Sequence, residues 1–291
     1  MAHALSVVQH RPVGRPPLVE RAAGPIVKWV GGKTKLLPEL LRRAPTSFRR
    51  YHEPFAGGAA LFFHLAPRAA VLSDTNAELV ACYQAVQRNV EGVIEALAQH
   101  RDRHSEAYYY AVREGWNGAE RPSAAERAAT FIYLNKTCYN GLWRVNSRGL
   151  FNVPAGRYVN PGILDAERLR AASAVLASAE ISAAPFERVL DEAHRGDWVY
   201  FDPPYHPLSA TSDFTTYTAE GFGAADQEHL AEVFARLAER GCAVMLSNSD
   251  TPFTRRLYAR WRIARVLCPR AVNSRADRRG LVGELIVTNS Y

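Results

Sequence analysis

The apolar run Trp198-Val199-Tyr200-Phe201 leads directly into Asp202-Pro203-Pro204-Tyr205. An unbroken apolar run of strand length reads as a strand covered on both faces. The two prolines behind it carry no N–H and a fixed φ, so a hydrogen-bonded ladder cannot continue through them. A buried strand that must stop at an acid therefore has to be matched by neighbours elsewhere in the chain. Residues 70–73 form a second short apolar run, ending at Asp74, and residues 243–247 form a third. Residues 50–53 lead into a glycine turn, Phe55-Ala56-Gly57-Gly58, followed by a helical apolar run through Leu65. Residues 226–240 place Leu230, Val233, Phe234 and Leu237 at helical spacing and stop at Gly241, and residues 283–288 give a last strand. Strands alternating with helices predict an α/β fold with a mostly parallel sheet.

The middle of the chain, about 78–178, reads as helical with few strand signals. Ser123 and Glu126 form a capping-box pattern opening a helix through Leu134. Residues 135–149 are dense in turn formers, aromatics and bases, and their Asn-Gly and Arg-Gly pairs suit a hairpin. The expected organisation is a catalytic domain of residues 25–85 and 176–291, interrupted by a mainly helical lobe of residues 86–175. Residues 1–24 mix Arg, Pro, Gly and His without periodicity and read as a disordered leader. Within them Gly14-Arg15-Pro16-Pro17 resembles an AT-hook core, but a single copy also reads as plain flexible tail.

Over 291 residues the formal net charge is +7, which favours a polyanionic partner such as nucleic acid. Cys82, Cys138, Cys242 and Cys268 are far apart and form no CxxC pair, the pattern of reduced cytoplasmic thiols. No apolar run reaches the length of a membrane span and no signal-peptide core opens the chain, so the expected setting is cytoplasmic. His64, His206 and His229 make no spaced pair with Cys or Asp, and no metal site is expected. Gly31-Gly32-Lys33-Thr34 imitates the end of a phosphate-binding loop, but the required first glycine is Val27. Trp116, Trp198 and Trp261 read as core, and Arg275-Ala276-Asp277-Arg278-Arg279 as a solvated loop with phosphate contact as its alternative.

Ligands of an open parallel sheet bind beyond the carboxyl ends of its strands. Three groups stand there. Gly57 and Gly58 let backbone approach a ligand closely. Asp74, 17 residues after Gly57, is spaced like an acid on ribose hydroxyls. Asp202 ends the most buried strand. The proline carbonyls behind it, with no ladder to join, are free to accept hydrogen bonds. A carboxylate and a fixed carbonyl together hold both hydrogens of an aromatic amine, favour its pyramidalisation, and aim its lone pair at an electrophilic methyl group. Tyr205 offers a face on which a base can stack.

From about Pro25 onward the chain resembles the DNA adenine methylase (Dam) family of N6-adenine methyltransferases, D12 class, group alpha. The resemblance is carried by Lys28-Trp29-Val30-Gly31-Gly32-Lys33, Glu53-Pro54-Phe55-Ala56-Gly57-Gly58, Ser73-Asp74-Thr75-Asn76 and Tyr139-Asn140-Gly141-Leu142-Trp143-Arg144. It continues in residues 151–158 and in Asp202-Pro203-Pro204-Tyr205, with residues 207–211 after it. It implies a Rossmann-like methyltransferase fold, S-adenosyl-L-methionine as cofactor, an inserted DNA-recognition lobe carrying a hairpin, and double-stranded DNA as partner. A cognate restriction endonuclease is a further partner such enzymes can have; no membrane association and no particular oligomeric state follow.

By that resemblance Trp29, Gly32 and Lys33 close over the cofactor, Phe55, Gly57 and Gly58 lie against its methionine part, and Asp74 binds its ribose. Thr75 and Phe186 flank its adenine, and Asp202 touches both cofactor and target amine. Lys28 and the segment from Tyr139 to Arg144, with Asn140, Leu142 and Trp143 between, face DNA bases. Asn146 and Asn152 face phosphates, and Lys136, Arg157 and Ser209 belong to the same DNA-facing set. The family turn reads F-x-G-x-G, whereas its last position here is Ala59, a departure expected to lower cofactor affinity without abolishing binding. The implied activity is methylation of a flipped adenine, within GATC if the hairpin keeps the family's usual specificity. Against that, Trp143 stands where a small residue is usual. The alternatives are N4-cytosine methylation, where Ser commonly replaces the Asp of the tetrapeptide, and a non-catalytic DNA-binding relative.

Overall fold

The computed structural model describes residues 23–120, 122–207, 222–269 and 281–291. Residues 1–22 with the AT-hook-like segment, Ser209 and the run from Arg275 to Arg279 lie outside them. The strands are β1 (Tyr51–Glu53), β2 (Ala70–Asp74), β3 (Ala179–Ala183), β4 (Trp198–Phe201), β5 (Ala243–Ser249), β6 (Arg262–Pro269) and β7 (Leu281–Thr288). The helices are α1 (Leu37–Arg42), α2 (Ala60–Leu65), α3 (Ala77–Arg88), α4 (Val90–Arg103), α5 (Glu106–Trp116), α6 (Ala124–Thr137), α7 (Ala166–Leu176), α8 (Val189–Glu192), α9 (Ala224–Glu239) and α10 (Pro252–Leu257).

All seven strands form one sheet in the order β3-β2-β1-β4-β5-β7-β6. The first five are parallel, and β7 runs antiparallel between β5 and β6. This mixed sheet with helices on both sides is the Rossmann-like α/β architecture expected. The chain moves from β1 outward to β2 and β3, then returns to the other flank of β1 as β4. The β1/β4 boundary is therefore the switch point, where ligand sites form beyond the carboxyl ends. Glu53 and Asp202 stand at its two sides.

Strand β4 is buried throughout, and its side chains alternate between two cores. Trp198 and Tyr200 join Tyr51, Phe62, Tyr83 and Tyr133 on one face; Val199 and Phe201 join Leu230, Phe234, Val244 and Tyr258 on the other. The first core runs without a break into α4, α6, α7 and the hairpin residues Trp143 and Phe151, so the middle helices share the sheet's core. Trp116 and Trp261 are half-buried at the edges of these cores. The capping box is present: Glu126 N donates to Ser123 Oγ at 3.3 Å and Ser123 N to Glu126 Oε2 at 2.9 Å. Asn76, Asn89, Ser105 and Asp165 cap α3, α4, α5 and α7, each side chain accepting one backbone N–H and contributing about 1 kcal/mol.

The hairpin turns later than its Asn-Gly pair suggests. Tyr139 N donates to Pro154 O at 2.9 Å and Asn146 N to Leu150 O at 2.9 Å, so the reversal lies at residues 146–150. Asn140 and Gly141, both left-handed with φ of 55° and 65°, instead form a single 3₁₀ turn. No helix among the described residues is long and apolar enough to cross a membrane.

Candidate active site

Strand β4 delivers Asp202 to the switch point, where its side chain remains 18% exposed. Its Oδ1 receives Lys33 Nζ at 2.7 Å and Ser247 Oγ at 2.9 Å, and Ser247 Oγ in turn pairs with Tyr200 OH at 2.9 Å. Its Oδ2 has no partner among the described residues. Burial pushes the Asp202 carboxyl above the usual range, and the Lys33 ammonium opposes that rise. Lys33 reaches in from the 3₁₀ turn Lys33–Lys35, donates also to Gly31 O at 2.5 Å, and lies 4.5 Å above the centre of the Tyr205 ring. Tyr205 OH donates to Glu284 Oε2 at 2.8 Å.

The expectation that both proline carbonyls are free needs correction. Pro204 O accepts from Gln227 Nε2 at 2.9 Å, because a fully buried amide must find an acceptor. Pro203 O is the one without a partner among the described residues.

The glycine turn is built against Asp74. Gly57 N donates to Asp74 Oδ2 and Asn76 N to Asp74 Oδ1, each at 2.9 Å, and Tyr83 OH donates to Gly57 O at 2.6 Å. Burial raises the Asp74 carboxyl, and the backbone N–H groups of Asn76, Gly57 and Thr75 oppose the rise. Gly57 has φ of 46°, and a Cβ there would stand 2.8 Å from Trp29 Cδ1, so the indole lies directly on the turn. A Cβ on Gly32 would stand 3.2 Å from Trp29 O, and one on Gly58 3.4 Å from Trp29 Cβ. Ala59 also adopts the left-handed region, φ 49°, with its methyl group in the core. Phe186 is buried and stacked on Phe55, ring centres 5.2 Å apart, whereas Thr75 is exposed.

Glu53 belongs to the site more fully than its place in a motif suggested. It is 3% exposed and accepts from Tyr51 OH at 2.9 Å, and burial pushes its carboxyl up to about 8. An acid directly before Pro-Phe, at the end of a buried strand, was the signal for it.

Of the residues expected to face DNA, Lys28 exchanges hydrogen bonds with Asn135: Lys28 N to Asn135 Oδ1 and Asn135 Nδ2 to Lys28 O, both at 2.7 Å. Asn135, fully buried, is a further residue that sequence reasoning passed over. Lys28 Nζ lies 4.0 Å over the Tyr158 ring, and a Cβ on Gly141 would stand 2.5 Å from Lys28 Cβ. This close packing ties Lys28 to the hairpin. Tyr139, Asn140, Arg144 and Arg157 are exposed; Arg144 Nε donates to Asn152 Oδ1 at 3.0 Å, and its terminal amines have no partner among the described residues.

Other members of the expected set point elsewhere. Trp143 is buried, its ring 4.1 Å from Phe131 and 4.5 Å from Phe151 between centres, so it anchors the hairpin to α6 and does not face outward. Leu142 is half-buried. Asn146 Oδ1 accepts from Arg148 N at 2.9 Å and Leu150 N at 3.0 Å, closing the hairpin turn. Lys136 lines a crevice with Ile26, Ile163, Asp165 and Arg168, and burial lowers its ammonium. Ser209 lies outside the described residues. Among those described, no cluster of three His, Cys, Asp or Glu side chains suits a metal ion.

A family model described as D12 class N6 adenine-specific DNA methyltransferase matches residues 29–271. The Type II methyltransferase M1.LlaDCHI of Lactococcus lactis subsp. cremoris is 44% identical over 269 residues, which span 91% of this chain and 95% of that protein. The Type II methyltransferase M.MjaIII of Methanocaldococcus jannaschii is 39% identical, over 91% of this chain and 98% of its own. The DNA adenine methylase of Escherichia coli K12 is 36% identical, over 89% and 93%.

Proposed function

The chain belongs to the D12 class of N6 adenine-specific DNA methyltransferases, and from that premise we propose that it methylates N6 of an adenine swung out of duplex DNA, within GATC, using S-adenosylmethionine. The observation that carries this reading is the division of labour at Asp202. Lys33 and Ser247 fix Oδ1, while neither Oδ2 nor the carbonyl of the adjoining Pro203 has a partner among the described residues.

The residues fit the cofactor. A nucleoside cofactor carries hydroxyl and amine donors, and Glu53, Asp74 and Asp202 place three carboxyl groups at the carboxyl ends of β1, β2 and β4, with Asp74 holding a turn where Gly57 accommodates no side chain. When bound, S-adenosylmethionine supplies a methyl group activated by positive charge on sulfur. Asp202 Oδ2 and Pro203 O each hold one hydrogen of the target amine, which withdraws its lone pair from the ring and directs it. Tyr205, tethered by Glu284 and covered by Lys33, gives the flipped base a stacking face.

Flipping is required because the amine of a stacked adenine is inaccessible. The exposed Tyr139 ring fills the vacated space, and the terminal amines of Arg144 match the two major-groove acceptors of guanine. The expected setting of the reaction is the cytoplasm, with double-stranded DNA as substrate. A cognate restriction endonuclease is the protein partner to test for, two of the relatives being named Type II methyltransferases.

Modified-base sequencing of DNA from a methylation-free strain expressing the protein tests the reading. N6-methyladenine concentrated in GATC supports it; methylated adenines elsewhere overturn the site, and methylated cytosines overturn the base.

A further inference from the structure

The ladder between β4 and β5 ends at the pair Phe201–Leu246, while β5 continues through Ser249. The next three residues of β5 face a segment that the two prolines have removed from any ladder, and their side chains take over. Ser247 Oγ donates to Asp202 Oδ1 at 2.9 Å, Asn248 Oδ1 accepts from His206 N at 3.2 Å, and Ser249 Oγ donates to His206 O at 2.6 Å. Gln227, on the first turn of α9, completes the set: Nε2 donates to Pro204 O at 2.9 Å and Oε1 accepts from Asn248 Nδ2 at 2.9 Å. Gln227 and Asn248 are both fully buried.

We infer that Gln227 and Asn248 are positioning residues for methyl transfer, bracketing the two peptide groups that flank Tyr205 and so setting the direction of Pro203 O and the Asp202 carboxylate. The inference rests on the methyl-transfer reading above. Buried amides are costly unless their hydrogen-bonding groups are matched, and an apolar side chain would fill the same volume more cheaply. Here the amides link Pro204 O to His206 N through a continuous chain. By occupying Pro204 O, Gln227 also leaves Pro203 O as the carbonyl presented to the amine.

The test uses the full chain, labelled S-adenosylmethionine and unmethylated duplex DNA of mixed sequence. Gln227→Met should lower kcat by about 10–100-fold, the worth of the lost bonds at a reacting geometry, with KM for the cofactor and Kd for duplex within about threefold. Gln227→Glu supplies a readout that a packing role would not move. Only its protonated carboxyl can donate to Pro204 O, so its rate relative to the parent should climb as pH falls. A Gln227→Met kcat within about twofold of the parent overturns the inference, as does a Gln227→Glu ratio flat across pH. A parent protein that transfers no methyl group overturns the underlying reading instead.

Discussion

Lys33 Nζ stands 2.7 Å from Asp202 Oδ1, joining a lysine of the 3₁₀ turn Lys33–Lys35 to the acid that follows β4. The pair works against the effect of enclosure on the acid: burial favours the protonated form and raises the carboxyl, and the ammonium opposes that rise. Lys33 also covers Tyr205, so one cation serves both the acid and the stacking face.

Replacing Lys33 with methionine removes the opposing charge and lets the Asp202 pKa rise further. With the ionised acid as the form that accepts from the amine, the acid limb of the kcat–pH profile should move to higher pH. A profile unchanged from the parent would mean that Lys33 acts on something other than Asp202.

Asp74 joins the glycine turn to β2 through Gly57 N. Asp74→Ala leaves that N–H without its acceptor, which should cost about 1–3 kcal/mol of stability and weaken S-adenosylmethionine binding as well. Thermal denaturation and calorimetric titration measure the two effects separately. Loss of stability with unchanged affinity would confine Asp74 to holding the turn.

Ala59 occupies a left-handed conformation that suits glycine, yet opposing terms nearly cancel. Relief of backbone strain on Ala59→Gly gains about 1–2 kcal/mol, while lost methyl burial and the freer unfolded chain cost together a similar amount. The variant should therefore lie within about 1 kcal/mol of the parent. Because the methyl sits in the core, cofactor affinity should not change. Tighter cofactor binding by Ala59→Gly would restore the sequence-based view that the methyl group disturbs the ligand.

Neighbouring hairpin residues should behave differently. Arg144→Ala should relax discrimination at one base pair by about 1–3 kcal/mol, whereas a phosphate contact would weaken binding uniformly and flatten its salt dependence. Trp143→Ala should cost about 3–5 kcal/mol of stability with base preference unaltered in whatever protein remains folded. A shift of preferred sequence in Trp143→Ala would contradict its role as an anchor.

The parts of the fold legible in the sequence were those with an unambiguous local signal. The all-apolar β4, the capping box at Ser123 and the stop at Gly241 each follow from one short stretch. Strands β3 and β6 were missed for a shared reason: both are edge strands. In β3 only Ala179 is buried, so the Ala-Glu-Ile-Ser-Ala run carries no continuous apolar signal. The site divides in the same way. Asp202 and Asp74 were visible because strand ends announce themselves. Gln227, Asn248 and Asn135 were not, because a buried amide looks like any surface amide until its distant partners are known. Trp143 was misjudged by its company: a large aromatic among exposed neighbours showed its core role only once Phe131 and Phe151 were in place.

The most direct test is nucleoside mass spectrometry of unmethylated duplex DNA incubated with the purified protein and methyl-labelled S-adenosylmethionine, with Asp202→Ala in parallel. The parent should yield labelled N6-methyldeoxyadenosine. Asp202→Ala should bind duplex within a few-fold of the parent yet retain under about one per cent of its rate, a loss of roughly 3 kcal/mol or more. Label on cytosine, no label from the parent, or an Asp202→Ala rate well above that level would contradict the account.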